Sequence, residues 1–127
     1  MCSLCKSNST IKQMCEEKTS LNDKEIEKII EVSKTLDLMS NFYESDVFID
    51  VLSFNKDEAY VVAHGKPQYQ SIYNENVVGK KALKKNEPGV IKTLNTVMTT
   101  RDIKAITQEY KLVKQTIQPI TLNEKLI

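Results

Sequence analysis

The chain has 127 residues, 40% of them hydrophobic, and its 18 basic and 17 acidic side chains leave a net charge of +1. That length suffices for one domain with its own core, without metals or disulfides, and the near-neutral balance argues against a direct nucleic-acid partner, which needs surplus positive charge against the phosphate backbone. No apolar run approaches the roughly 20 residues of a membrane-spanning helix and the N-terminus lacks the apolar segment of a secretory signal, so the sequence reads as a cytoplasmic protein with no membrane partner.

Residues 1–19 are polar, without strong periodicity, and hold all three cysteines, Cys2, Cys5 and Cys15. An odd count in an apparently cytoplasmic chain argues against a disulfide framework. Cys2 and Cys5 form a CxxC pair that could bring two thiolates to zinc, but a closed site would also need Cys15 and a fourth ligand, for which His64 is the only imidazole. A lone CxxC lacks the second pair that makes such motifs specific. The expectation is a reduced, mobile leader over 1–19, or a short helix, with no metal and no cofactor.

The organised domain begins at LNDKEI. Asn22 suits an N-cap, Glu25 stands at N3 to complete a capping box, and Leu21 and Ile26 have the spacing of a hydrophobic staple. Ile26, Ile29, Ile30, Ser33, Leu36 and Met39 follow at helical spacing, which predicts one amphipathic helix from Asp23 to Phe42. The period then changes. In DVFIDVLSF, Val47, Ile49 and Val51 alternate with Phe48, Asp50 and Leu52, predicting a strand. NKDE supplies turn residues and AYVVAHGKP a second strand stopped by Gly65 and Pro67, so the two should pair as an antiparallel hairpin.

Beyond Gln68 the chain is polar, with a possible short strand at SIYN, and Glu87 and Pro88 open a helix expected to run to Val97. RDIKAITQ and KLVKQTIQPIT restore β-branched alternation around a short turn, predicting a second hairpin. LNEK is a further turn signal with only Leu126 and Ile127 after it, which predicts a last strand cut short.

Three catalytic or binding patterns fail on their chemistry. Gly79 and Lys80 lack the upstream glycine and the Ser or Thr of a phosphate-binding loop, and Lys80, Lys81, Lys84 and Lys85 read as a solvated helix face. His64, the only histidine, ends a strand and has no evident nucleophile or acid beside it in sequence, so no catalytic residue is assigned. A phosphoaccepting histidine belongs on an exposed helix, which His64 does not.

Taken together, DVFIDVL, AYVVAHGKP, SIYNENVVGKKALKKNEPGVIKTL and TRDIKAITQEYKLVKQTIQPI resemble the N-terminal sensor domain of cytosolic bacterial sensor histidine kinases, a group that includes ethanolamine-utilisation-type sensor kinases. VVGKKALKKNEPGVIKTL and TRDIKAITQE are the most specific segments. The resemblance covers residues 20–127 and implies an α+β fold, a GAF- or PAS-like antiparallel sheet flanked by helices. It further implies a small-molecule sensory domain without catalysis of its own, a homodimer, kinase modules C-terminal to it in the full-length protein, and a response regulator downstream. The alternative is a ligand-free dimerisation scaffold.

In such folds a ligand lies between the sheet and the helices that cover it, reached by polar groups near strand ends and helix starts. That places Tyr73, Asn86, Glu87, Arg101, Asp102 and His64 as candidates. Arg101 is the only arginine, hence the only planar bidentate cation of the chain. Its structural role would be an ion pair with Asp102 or Glu87. Its binding role would be to hold a polar ligand with Tyr73, leaving Glu87 for an amine.

Overall fold

The computed structural model describes residues 3–54, 58–68, 78–83, 100–106, 112–117, 119–122 and 125–126. Three helices come first: α1 (Ser3–Lys18), α2 (Asp23–Ser33) and α3 (Leu36–Tyr43). Strands β1 (Val47–Leu52), β2 (Glu58–Gly65) and β3 (Lys81–Leu83) form an antiparallel sheet in the order β1-β2-β3. Strands β4 (Thr100–Ile106) and β5 (Leu112–Ile117) make an antiparallel hairpin, and β6 (Thr121–Leu122) pairs with β7 (Lys125–Leu126). The α+β class and both predicted hairpins are present.

Of the two expectations for residues 1–19, a leader or a short helix, the structure shows the helix: α1, whose Ile11 and Cys15 are fully buried in the core. Their i, i+4 spacing puts both on one face, with Met14 beside them. Thr19 ends the helix. Its amide and hydroxyl both donate to the Cys15 carbonyl, at 3.1 and 2.6 Å, and its hydroxyl oxygen accepts from the Leu21 amide.

The capping box opens α2 as predicted. The Glu25 amide donates to Asn22 Oδ1 and the Asn22 amide to Glu25 Oε1, each at 2.9 Å. The single helix expected over 23–42 is broken at Lys34 and Thr35. Ser33 and Thr35 turn their hydroxyls onto the Ile30 and Val32 carbonyls, and the Lys34 and Thr35 amides bond three residues back rather than four. Local hydroxyl bonds compete with the helical ladder and tighten the last turn. The apolar face survives the break, since Ile26, Ile29 and Leu36 are all buried.

These helices cover one face of the sheet. Ile11, Cys15, Ile26, Ile29 and Leu36 pack with Ile49 and Val51 of β1 and with Tyr60 and Val62 of β2, and Ile120 and Leu122 close on the same cluster. At the end of β2 the approach is tight: a Cβ on Gly65 would lie 2.6 Å from the Leu36 carbonyl oxygen, so only glycine fits. Of the lysines read as a helix face, Lys81 lies in β3 opposite Tyr60 and Lys80, just before the strand, accepts from the Val61 amide; Lys84 and Lys85 lie outside the described residues. The expected short strand at 71–74 and the helix 88–97 also lie outside them.

Candidate functional site

Because a strand alternates its side chains, β1 sends Val47, Ile49 and Val51 toward the helices and Phe48, Asp50 and Leu52 to the opposite face. Strand β2 would do the same, but its pairing with β1 shifts between Ile49 and Asp50. Ile49 stands opposite Ala63 while Asp50 stands opposite Val61, so Val62 is the extra residue of a β-bulge. Uniform counting from the Leu52↔Ala59 pair would set His64 against Val47, on the helix face. The bulge sets it against Phe48 instead, and the two rings stack with centroids 4.2 Å apart at 28°.

On that face His64 Nε2 donates to Asp46 Oδ1 at 2.9 Å, with the two side chains 3% and 6% exposed. Burial lowers the imidazole below its ordinary 6.5, outweighing the bond and charge of Asp46, and Lys66 adds to the lowering. The ring is therefore neutral at pH 7, with its proton on Nε2 where the carboxylate accepts it. His64 is the penultimate residue of β2, close to the strand end where it was expected, and its side chain is buried. Asp46, which with Asp50 flanks the first strand in sequence, could not be paired with His64 from the sequence, because the two meet only through the bulged register, for which Val62 gives no signal.

Of the other candidates, Arg101 and Asp102 lie in β4, within the irregular register between Thr100 and Ile103. Tyr73, Asn86 and Glu87 lie outside the described residues. Among the described residues no His, Cys, Asp or Glu cluster is arranged to hold a metal ion. Cys15, the third thiol of the zinc set considered above, is in the helix-side core, where burial and then the Glu16 charge push its thiol up to about 11. Cys15 and His64 thus lie on opposite sides of the sheet. Gly79 spends its amide on the Val61 carbonyl at 2.7 Å, in strand pairing rather than a phosphate cradle.

The arrangement is a buried imidazole–carboxylate pair stacked on an aromatic ring, on the sheet face turned away from the helical core. No described helix is long and apolar enough to cross a membrane.

Comparison with known proteins agrees with this architecture. The sequence profile of the GAF domain of histidine kinase PdtaS matches residues 11–127. A solved structure described as the sensor region of a sensor histidine kinase superposes with a TM-score of 0.68 at 15% identity, over 93% of this chain and 38% of that one. At that identity the likeness shows the fold, and the chain spans well under half of that structure. No curated protein matches the sequence.

Proposed function

Because this chain belongs to the family of the GAF domain of histidine kinase PdtaS, we propose that it is the small-molecule input domain of a two-component sensor histidine kinase, with the His64 face of the β1–β2 hairpin toward the signal. The chain is a GAF-like signal-sensing domain. The ligand, the homodimer, the C-terminal kinase modules and the response regulator belong to the proposal.

One observation carries the choice of face. A histidine and an aspartate are kept almost wholly out of water on the sheet side that does not pack the helical core. Burying polar groups costs stability unless they are satisfied, and such perturbed groups cluster at functional sites. His64 and Asp46 supply hydrogen bonds there and Phe48 supplies a flat apolar wall. Arg101 and Tyr73, with Asn86, Glu87 and Asp102, are proposed as further contacts.

The test is a thermal-shift screen of small amines, carboxylates and nucleotides on the purified chain, since a ligand that binds only the folded state raises its melting temperature. A hit is expected, and its affinity should fall about tenfold or more in His64→Gln or Arg101→Ala, the loss of one charge-assisted or buried hydrogen bond. Unchanged affinity in both variants would place the site elsewhere. The second reading, a ligand-free dimerisation scaffold, is favoured by the exposed Leu38, Phe42 and Tyr43 of α3, and a screen with no hit in any class would support it.

A further inference from the structure

Helix α3 has only eight residues, from Leu36 to Tyr43, and yet it is tied to the end of β2 at three separate points. At its start, the Leu36 carbonyl lies against Gly65 with no room for a side chain between them. At its middle, Asn41 Oδ1 accepts from the Gln68 amide at 2.7 Å. At its end, the chain turns through Glu44 in the left-handed region and the Ser45 amide returns to the Ser40 carbonyl, which delivers Asp46 to His64. Residues 64, 65 and 68 therefore hold the whole length of the helix.

The two sides of this arrangement differ in chemistry. His64 and Asp46 sit on the sheet face assigned above to the signal, whereas α3 lies on the other side and carries Leu38, Phe42 and Tyr43 at 74%, 78% and 66% exposure. A short helix contributes little stability of its own and keeps its shape mainly through its tertiary contacts. Its local opening therefore depends on its tertiary contacts: the core packing of Leu36, Met39 and Ser40, and these three ties, one of which is the buried bond on the signal side.

We propose that α3 is the output lever of the domain: a change at the His64–Asp46 pair alters how firmly the end of β2 holds the helix, and with it the presentation of Leu38, Phe42 and Tyr43. This rests on the His64 face being the signal side. The coupling itself is a property of the unliganded chain, so it can be measured without any ligand. An empty thermal-shift screen would count against the sensing role and leave the coupling measurement untouched.

The experiment is amide hydrogen exchange on the full chain for wild type, His64→Gln, Asn41→Ala and the double variant. In His64→Gln the amides of residues 39–44 should exchange about tenfold faster, the effect of losing one buried charge-assisted hydrogen bond, while those of residues 27–33 in α2 keep their wild-type rates. The double variant should fall short of the product of the two single effects, because both act on one unit. Unchanged exchange in α3, an equal acceleration in α2 and α3, or strictly multiplicative effects would each overturn the proposal. If His64→Gln does not fold, Asn41→Ala carries the test through an exposed side chain. It should move the NMR signal of the one imidazole in the chain, and an unmoved signal would overturn the coupling.

Discussion

His64 makes the stability of the domain depend on pH in a direction that can be worked out. Burial holds its folded pKa below 6.5, whereas the unfolded chain takes up the proton near 6.5. Between those two values the unfolded state binds more protons, so stability rises with pH there. The contribution is complete above about 6.5 and is lost as pH falls through the folded value. The melting temperature should therefore drop as pH falls below about 6.5 in the wild type, and His64→Gln should remove most of that drop. Equal slopes in the two proteins would show that other groups set the response. At this scale the candidate site was half legible: a lone histidine closing a strand could be read directly, but Asp46 could not, since the contact spans 18 positions and depends on a bulge.

At the scale of elements, local chemistry was the part the sequence carried best. The capping box at Asn22 and Glu25, the β1–β2 hairpin and the β4–β5 hairpin each follow from neighbouring residue types. The break between α2 and α3 did not, because Ser33 and Thr35 are compatible with a helix until their hydroxyls turn inward, and the apolar period runs on across the gap. Strand β3 was misread for a related reason: a lysine-rich run suits a solvated helix, and only the distant partners Glu58, Ala59 and Tyr60 make it a strand. Helix α3 ends on Glu44 with φ 53 and ψ 40, a conformation that a residue with a Cβ adopts at a cost. Glu44→Gly should relieve it and stabilise the fold by about 0.5–1 kcal/mol. Urea unfolding should show a higher midpoint with an unchanged slope. A lower midpoint would mean that the Glu44 side chain contributes more than its backbone strain costs.

For the molecule as a whole, the largest departure from the sequence reading is at the N-terminus. Ile11, Met14 and Cys15 are too few apolar residues in a polar stretch to announce a core helix, yet Ile11 and Cys15 are buried against Ile26, Ile29 and the sheet. Removing residues 1–18 would uncover that cluster. Each large side chain lost from a core costs about 2–5 kcal/mol, and the total stability of a domain is only about 5–15 kcal/mol. The shortened chain should lose its cooperative melting transition by circular dichroism. A sharp transition at the wild-type temperature would show that α1 is dispensable to the core.

The extra residue at Val62 has a consequence best put arithmetically. Up to the bulge, even-numbered residues of β2, Tyr60 and Val62, serve the core; beyond it, odd-numbered ones do, with Ala63 packed on the same cluster and Gly65 under Leu36. The strand changes parity at one position. Sliding that position along β2 would reassign side chains between the core and the opposite face without replacing any of them. A lineage can in this way exchange what lines the two sides of the sheet while keeping its composition, by relocating a single surplus residue.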